Sequence, residues 1–372
     1  MTGRGRCLRE TPGPLRLLLI GPLAPPVGGA TVLFEQLAAE SSALQDVSVR
    51  VINTSRGGGS GSWRLLVQSA LVIYKLMRSI AGCDVVSFHA SREGAALFGP
   101  IVLVLSFAFR KPWIFRGFGD FEAWYRSASG MKKALLRSAA LRANFVLLET
   151  KSSVTYFSAQ TCKDVRWYPN SRPLTLRDRQ STRRADHELK FVFVGHVKPS
   201  KGVRELINAA ELFDGINVDV YGPLLEGMNG SDFQGKQARY RGPLEPDAVA
   251  HVLRLYDVLL LPTYYEGEGY PGVILEAYAE GLPVIASRWR SIPEMVTNES
   301  GVLVEPRSVA ELAAAMQHLM TSRESFARLR EGAKKSAKMF SSEVWTEYFV
   351  DLARDLRKSS VQITGKQTFL DE

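Results

Sequence analysis

Two segments of this chain share the same order of a short apolar run, a glycine-containing loop and a helical pattern. The first is LRLLLIG at 15–21, which leads into APPVGGATVLFEQLAAE; the second is KFVFVG at 190–195, which leads into VKPSKG and a helical pattern at 203–212. Strand, glycine loop and helix are the opening of a doubly wound α/β domain. In a chain of 372 residues, longer than one ordinary core, they predict two α/β domains with a ligand in a cleft between them.

Further apolar runs continue both patterns. Strands are predicted at 47–52, 85–89, 112–116, 145–148, 218–221, 258–261 and 283–286, and helices at 64–81, 272–281 and 343–356. The hydrophobic pattern lapses from 170 to 188, and this polar, arginine-rich stretch is interpreted as the domain boundary. The loop 55–62 (SRGGGSGS) is interpreted as a mobile connector, with an anion-binding nest as the alternative.

The charge of the chain favours an anionic partner. The formal net charge is +9 and the isoelectric point about 9.4, which suits a phosphorylated substrate, an acidic membrane surface or nucleic acid. Because no nucleic-acid recognition motif accompanies the charge, nucleic acid is not expected as a partner. Three widely spaced cysteines, without metal-ligand spacing, predict a reducing, cytosolic compartment and no disulfide framework.

Two segments bear on membranes. GAALFGPIVLVLSFAF at 94–109 is shorter than the roughly 20 residues that span a bilayer, so it is predicted to be a buried helix. Residues 122–144, if they form one helix, align three cations in a stripe: Arg126, Lys133 and Arg137. Such a helix is either solvated and packed on the domain core, or makes a weak, salt-sensitive contact with an anionic leaflet.

Acids interrupt an apolar segment in YYEGEGYPGVILEAYAEGLPVIAS at 264–287. The stretch follows a predicted strand, so it lies at the sheet edge where open α/β folds bind ligands. A helix is predicted from Gly272 to a C-cap at Gly281, and its first N–H groups, at Gly272 and Val273, suit an anion. Glu268 before it and Glu276 within it can accept hydrogen bonds from hydroxyls attached to that anion, which describes a nucleotide sugar. Two further acids are predicted to be solvated charges complementing the helix dipole: Glu266 and Glu280.

These residues resemble a known family. Glu268-Gly-Tyr-Pro, Leu275-Glu276-Ala and Gly281-Leu-Pro-Val-Ile-Ala resemble the E-x7-E signature of the retaining glycosyltransferases of family four, the glycosyl transferases group one. FVFVGHVKPSKGVRELINAA, YRGPLEPDAVAHVLRLYDVLLLPTYYEGEGYP and SIPEMVTNESGVLVEP are also similar to family segments. The resemblance covers residues 191–356 strongly and the first half weakly. It implies the α/β GT-B fold, two Rossmann-like domains facing a cleft.

The resemblance implies roles for individual residues. Glu276 would bind the ribose hydroxyls and Glu268 the transferred sugar, while Lys201 and the amides of Gly272 and Val273 would hold the diphosphate; Glu268 and Lys201 are the catalytic candidates. The complete donor-site prediction is Gly29, Gly195, His196, Lys201, Gly269, Tyr270, Pro271, Gly272, Val273 and Glu276. Gly28 and Gly29 either approach the donor phosphates or form a plain turn.

The sequence departs from the family at two places. Many relatives have arginine at the position of His196, which is charged only if a diphosphate raises its pKa; Lys198 is the alternative. Relatives tend to carry His-Gly where this chain has Arg116-Gly117. Three residues are therefore acceptor-side candidates: His89, Arg116 and Asp120. A satisfied core histidine is the competing interpretation of His89.

The resemblance implies a metal-independent retaining transferase without a cofactor, in which the leaving phosphate assists the acceptor hydroxyl. The chain contains no Asp-x-Asp motif, which agrees. The predicted partners are a UDP- or GDP-linked sugar donor and a glycan or lipid-linked acceptor, as in surface polysaccharide or glycolipid biosynthesis. A nucleotide-sugar epimerase of the same fold and a degenerate non-catalytic binding protein are the alternatives. A dehydrogenase is excluded because the first loop lacks G-x-G-x-x-G.

The predicted domain organisation follows from these assignments. It consists of a flexible N-terminus (1–14), an acceptor-side Rossmann-like domain (15–170), a linker (171–188), a nucleotide-sugar-binding Rossmann-like domain (189–340), a C-terminal helix returning to the first domain (341–357) and a flexible tail (358–372). The predicted localisation is cytoplasmic, with peripheral attachment at the inner face of the membrane left open.

Overall fold

The computed structural model describes residues 13–25, 28–55, 62–161, 163–174 and 188–368. Most of the predicted flexible start, the glycine-rich loop and the linker lie outside the described residues, as do the last four positions of the predicted tail. The chain divides into two compact units. The first comprises Met1–Arg116, Ala134–Val146 and Thr346–Glu372, and the second comprises Gly117–Lys133 and Leu147–Trp345.

The first sheet is built from apolar strands joined by helices. Its strands are β1 (Leu15–Gly21), β2 (Val47–Asn53), β3 (Val85–Ala90), β4 (Trp113–Gly117), β5 (Phe145–Leu148) and β6 (Asp164–Trp167), in the order β2–β1–β3–β4–β5–β6. The helices between and around them are α1 (Gly29–Ala43), α2 (Ser62–Ile80), α3 (Arg92–Ala108), α4 (Phe121–Ser127), α5 (Gly130–Ser138) and α6 (Lys151–Ser158). β1 pairs in parallel with β2 and β3. Leu18, Ile20 and Phe88 are fully buried, as near-continuous apolar strands of a parallel sheet are.

The second sheet has the same architecture. Its strands are β7 (Lys190–Val194), β8 (Asn217–Tyr221), β9 (Ala238–Gly242), β10 (Val258–Leu261), β11 (Val284–Ser287) and β12 (Gly301–Val304), in the order β12–β11–β10–β7–β8–β9. Every neighbouring pair is parallel. The helices that follow are α7 (Val203–Ala210), α8 (Val249–Leu253), α9 (Gly272–Ala279), α10 (Val309–Thr321), α11 (Arg323–Met339) and α12 (Ser342–Thr368).

The strand order reverses between β7 and β10. The chain moves outward from β7 through β8 to β9, then returns to place β10 on the other side of β7. The loops after β7 and β10 therefore diverge at one edge of the sheet, which is where open α/β sheets form binding crevices. Both segments that the sequence singled out, 195–202 and 262–276, lie at this edge.

Helix α3 differs from its prediction as a buried helix. Ala95 and Val102 are buried, but Leu97, Val104 and Phe107 are 46%, 63% and 84% exposed. One side of the helix packs on the sheet, and the side chains on its opposite side are exposed. The sequence did not distinguish the two sides because both carry apolar residues. Within the described ranges, no helix is both long and apolar enough to cross a bilayer.

The single helix expected over residues 122–144 is replaced by two short ones. α4 ends at Ser127, and the extended backbone of Ala128 that follows (ψ 151°) breaks the helical path. α5 then begins at Gly130, and the carbonyl of the preceding Ser129 accepts from the N–H of Lys133 at 3.0 Å. Arg126 is paired with Glu122 at 2.8 Å and lies over the Tyr156 ring. The continuous cationic stripe was therefore a wrong prediction.

Helix α12 runs further than the predicted helix at 343–356. It continues to Thr368, into the segment predicted to be a flexible tail. No proline interrupts residues 357–368. The hydroxyls of Ser359 and Ser360 donate to the carbonyls of Asp355 and Leu356, four residues back, at 3.0 and 2.9 Å. Both serines are thereby accommodated inside the helix.

Candidate functional site

The loops after β7 and β10 contact each other directly. The first passes through Gly195 and His196 to a 3-10 turn, Pro199–Lys201, before α7 begins. The second leads to α9, which begins at Gly272 after the extended Pro271. The N–H of Tyr264 in the second loop donates to the carbonyl of Ser200 in the first at 2.9 Å. This bond brings the lysine of one loop beside the acids of the other.

Lys201 and Glu268, predicted as the catalytic pair, form an ion pair. Lys201 Nζ lies 2.9 and 2.6 Å from the two carboxylate oxygens of Glu268, and the hydroxyl of Thr263 donates to Glu268 Oε2 at 2.7 Å. Both side chains are largely buried, with 15% of Lys201 and 7% of Glu268 exposed. Charge-assisted bonds in such surroundings are strong and hold both groups in place. The positive charge and the carboxylate are therefore aimed at one location.

Glu276 has a partner that the sequence did not reveal. Arg172 Nε donates to Glu276 Oε1 at 2.9 Å, with 14% of the arginine and 25% of the glutamate side chain exposed. The backbone of Arg172 is fixed at both its N–H, which donates to Phe340, and its carbonyl, which accepts from Ser342. The guanidinium is thereby held beside the start of α9.

Gly272 is explained by the same arginine. A Cβ at this position would lie 2.3 Å from a terminal nitrogen of Arg172, so any other side chain would displace the guanidinium. The first N–H groups of a helix have no partner within it. Those of Gly272 and Val273 open α9, and the guanidinium of Arg172 lies beside them with its charge balanced by Glu276. The start of α9 therefore combines backbone donors with an ion pair whose cation could also contact an anion.

The turn before α9 is tied down at Tyr270. Its N–H donates to Glu149 Oε1 at 2.7 Å, its carbonyl accepts from Asn170 Nδ2 at 3.0 Å, and its hydroxyl donates to Glu294 Oε2 at 2.6 Å. Burial, and then the bond to Glu294, raise the pKa of the Tyr270 hydroxyl. Glu294 also accepts the first N–H groups of α6, from Lys151 and Ser152, at 2.6 and 3.0 Å. Tyr270 is thus a rigid part of the framework.

Glu149 joins this turn to a second loop. The residue directly follows β5 and is 4% exposed; its Oε2 accepts the N–H of Gly119 at 2.7 Å while Oε1 accepts that of Tyr270. At Gly269 a Cβ would lie 2.8 Å from Glu149 Oε1 and 3.1 Å from the Cα of Gly119. The glycine is therefore required by this close approach of two loops to one carboxylate.

The two basic candidates of the first loop differ in their surroundings. His196 is exposed. Lys198 is 7% exposed, donates to Glu226 Oε1 at 2.9 Å and lies 4.0 Å from the centre of the Tyr265 ring. Because Lys198 is committed to these partners, His196 is the more accessible of the two to a ligand.

Gly28 and Gly29 lie in the first compact unit. Gly28 precedes α1, and its N–H donates to the Thr31 hydroxyl at 2.9 Å. No heavy atom lies within 4 Å of a Cβ built on either glycine, so packing does not require glycine at these positions. Both line a cavity of about 460 Å³, together with His89 and Ser91.

The three acceptor-side candidates differ in their burial and in their contacts. His89 is fully buried; its Nε2 is 2.8 Å from the Ser87 hydroxyl, and it packs on the rings of Phe34 and Phe349. Burial, and then the nearby charge of Arg116, hold its pKa well below the ordinary value. Arg116 is 2% exposed. Asp120 caps α4 by accepting from the N–H of Ala123 at 3.0 Å.

The two acids predicted to be solvated differ in their exposure to solvent. The side chain of Glu266 is 75% exposed and pairs with Arg290, as expected of a surface charge. Glu280 contradicts its prediction, because its side chain is 4% exposed and makes a two-point pair with Arg254, with both distances 2.8 Å. This acid follows α9 at a buried position and is retained there by its arginine.

Comparisons with solved structures define the class of this fold. Sucrose-phosphate synthase from Thermosynechococcus elongatus superposes with a TM-score of 0.72 at 18% identity, covering 93% of this chain and 100% of that one. HepE from Anabaena, in complex with UDP, gives a TM-score of 0.71 at 16% identity, covering 92% of this chain and 100% of that one. The fold is GT-B, as predicted from the sequence.

Sequence comparison agrees with the predicted resemblance. Residues 175–336 match the model of the family described as Glycosyl transferases group 1, which is the family that the sequence resembles. The D-inositol 3-phosphate glycosyltransferase of Corynebacterium glutamicum (strain R) is 32% identical over 199 residues, which are 48% of this chain and 46% of that protein. The alignments span about half the length, or less, of the curated relatives first matched.

Replacing Glu149 by glutamine tests the carboxylate that joins the two loops. Glutamine offers one acceptor oxygen and presents an NH₂ group to the other N–H, so one buried N–H loses its partner. We expect a loss of about 1–3 kcal/mol in the free energy of unfolding, measured by urea denaturation. Glu266→Gln makes the same chemical change at an exposed site and should lie within about 0.5 kcal/mol of the parent. Equal stability of the two variants would show that the carboxylate of Glu149 does not stabilise the two loops.

Proposed function

We propose that this protein is a glycosyltransferase that moves a sugar from a nucleotide-diphosphate sugar to an acceptor hydroxyl with retention of configuration. The observation that carries the proposal is the pairing of two acids with two cations around the start of α9: Glu268 with Lys201, and Glu276 with Arg172. Cations suit a diphosphate, and carboxylates suit the hydroxyls of the two sugars attached to it. A nucleotide sugar presents both chemistries in one ligand.

The diphosphate is proposed to lie between Lys201 and the first N–H groups of α9. Negative charge on the leaving phosphate grows as the bond from the sugar C1 to its oxygen breaks. Lys201 and the α9 amides, already oriented, would stabilise that charge without reorganisation. Arg172 lies beside Gly272 as a third cationic group, and the exposed His196 lies on the same loop as Lys201.

The two carboxylates are proposed to orient the sugars. Glu276 would accept from the ribose hydroxyls through lone pairs that Arg172 leaves available, since a carboxylate offers about four acceptor sites. Glu268 would accept from a hydroxyl of the transferred sugar. The acceptor oxygen bonds to C1 on the face that the phosphate leaves, and its proton passes to the released phosphate. The protein supplies positioning and charge, with no covalent bond to a side chain.

Several finer assignments belong to this proposal. The segment 189–340 is proposed to bind the donor and the segment 15–170 to bind the acceptor, a glycan or a lipid-linked sugar, in a cytoplasmic, metal-independent reaction without a cofactor. Support comes from the name of the Corynebacterium relative, a D-inositol 3-phosphate glycosyltransferase, and from the UDP complex of HepE. UDP and GDP remain equal candidates for the donor nucleotide.

Product analysis tests the function. The full-length protein is incubated with a panel of UDP- and GDP-sugars, with and without saccharide acceptors, and the products are followed by NMR. A transferase releases nucleoside diphosphate and forms a glycoside with the anomeric configuration of the donor. Appearance of an altered free donor sugar without acceptor would identify an epimerase. A product of inverted configuration would refute the retaining mechanism.

Lys201 is expected to act mainly on the chemical step. Lys201→Gln keeps hydrogen-bonding capacity but removes the charge that stabilises the leaving phosphate. We expect kcat to fall about a hundredfold or more, with a smaller change in the dissociation constant of the nucleotide sugar. Lys236→Gln, at a lysine exposed on the surface of the same compact unit, is the matched control and should keep the parent rate. Normal turnover in Lys201→Gln would show that this lysine does not act on the chemical step.

Glu276 and Arg172 are expected to act as a unit. Glu276→Ala should weaken nucleotide binding by about 1–3 kcal/mol, the range for a hydrogen bond to a charged group. Calorimetry on Glu276→Ala, Arg172→Ala and the double variant should give a coupling energy of at least about 0.5 kcal/mol. Arg288→Ala with Glu305→Ala, an exposed pair at 3.2 Å, serves as the control cycle. Full affinity in Glu276→Ala, or additive effects of the two site substitutions, would contradict the shared role.

A further inference from the structure

Helices α2 and α3 lie side by side in the first compact unit. They connect β2 to β3 and β3 to β4, and both connections step in the same direction across the sheet. Right-handed crossovers therefore place the two helices on the same face of the sheet, where they contact each other. Each helix turns one side towards the sheet and the opposite side away from it.

The outward side of α2 carries large apolar side chains together with two exposed cations, Lys75 and Arg78. Val72, Leu76 and Ile80 recur at four-residue intervals and are buried against the sheet. Four large side chains on the rest of the helix are exposed, by 40%, 51%, 51% and 46%: Val67, Leu71, Tyr74 and Met77. A helix at the surface of a soluble protein ordinarily carries polar residues there.

The outward side of α3 continues this surface. Three large apolar side chains are exposed by 46%, 63% and 84%: Leu97, Val104 and Phe107. Residues 94–109 contain no ionisable side chain, so no charged residue stands between these three along the helix, although Glu93 is exposed one turn before Leu97. These three residues and the four of α2 together form what we call the outer apolar face. Such concentrated exposure of large apolar groups marks an interaction site.

Cations outnumber acids on and around the face. Between Ser62 and Arg116 the sequence contains seven lysines and arginines but only two acids, Asp84 and Glu93. Asp84 is paired with Arg16 at 2.6 Å. Lys75, Arg78 and Arg110 are exposed, and Arg78 donates to the Tyr74 hydroxyl at 2.8 Å. The apolar groups are therefore accompanied by three exposed cations and by one exposed acid, Glu93 in the first turn of α3.

We propose that the outer apolar face rests on an anionic lipid bilayer. Apolar side chains would enter the boundary between headgroups and acyl chains, with the rings of Tyr74 and Phe107 suited to that depth. Lys75, Arg78 and Arg110 would face the anionic headgroups. A second copy of the chain is a poorer occupant, because a symmetric contact would bring these cations against their own counterparts.

Vesicle binding of the full-length protein tests this proposal without donor or acceptor, so its outcome is independent of the proposed function. Sedimentation with phosphatidylglycerol–phosphatidylcholine vesicles is compared with sedimentation on pure phosphatidylcholine. We expect binding to the anionic vesicles that weakens with salt. Lys75→Gln, Arg78→Gln and Arg110→Gln should each lower the partition coefficient about fivefold, corresponding to about 1 kcal/mol per cation.

The apolar contribution is tested by Val104→Glu with Phe107→Glu. We expect this variant to lose binding about tenfold or more, because two carboxylates would enter the interface. Leu212→Glu with Leu255→Glu, two leucines exposed by 65% and 51% in the other compact unit, is the matched control and should bind like the parent. Val104→Ser with Phe107→Ser repeats the test without added charge. Circular dichroism verifies that each variant is folded.

Three results would overturn the proposal. One is absence of parent binding to anionic vesicles, and another is parent-like binding by both the glutamate and serine variants. The third is a lipid-free, concentration-dependent dimer that the Val104/Phe107 variants abolish, which would assign the face to a second copy. Retained vesicle binding by the control, together with its loss in the Val104/Phe107 variants, supports the bilayer.

Discussion

The carboxylate of Glu149 receives the backbone N–H groups of Gly119 and Tyr270 at a position where its side chain is almost fully excluded from solvent. An unpaired buried N–H carries a large free-energy penalty, so this single carboxylate determines where both loops can lie. With Tyr270 fixed also by Asn170 and Glu294, the turn that precedes α9 cannot move freely. The geometry of the site follows from this constraint, since Glu268 lies on one side of the turn and the start of α9 on the other.

Two ion pairs hold the charged side chains of the site in position. Two cations separated in sequence, Arg172 and Lys201, each hold one carboxylate of the signature. In this state the two members of each pair offset each other's charge. A diphosphate would compete for the cations, while its attached sugars would supply new hydrogen-bond donors to the acids. The resting ion pairs can therefore be exchanged for ligand contacts of the same kind, which keeps the site oriented before the ligand arrives.

Local patterns predicted much of the fold. Strands such as β1, β5 and β10 were predicted with their observed bounds, because buried parallel strands are continuous apolar runs. β6, β9 and β12 were missed. In β6 and β9 the sequences DVRW and ARYRG place charges in short edge strands that are only partly buried. The end of α9 was predicted from the glycine at position 281. In the structure Gly281 adopts a positive φ of 71°, a conformation that favours glycine.

The candidate site was predictable only in part. Glu268, Gly272 and Glu276 stand close together in sequence and could be related to one helix start. Arg172 and Glu149 could not, because they meet their partners across 104 and 121 positions, and no local pattern encodes such a contact. The surface of α3 was mispredicted for a related reason: composition does not tell which side of an apolar helix a neighbour will cover.

Hydrogen exchange followed by mass spectrometry, with and without a saturating nucleoside diphosphate, tests the central claim most directly. The account predicts slower exchange in residues 196–203, 263–276 and 170–174, because these segments carry the cations, the acids and the first N–H groups of α9. The effect should appear with one of UDP and GDP, and Glu276→Ala should need a higher nucleotide concentration to reach the same protection. Protection confined to other segments, or binding without protection of the α9 start, would contradict the assignment of the donor site.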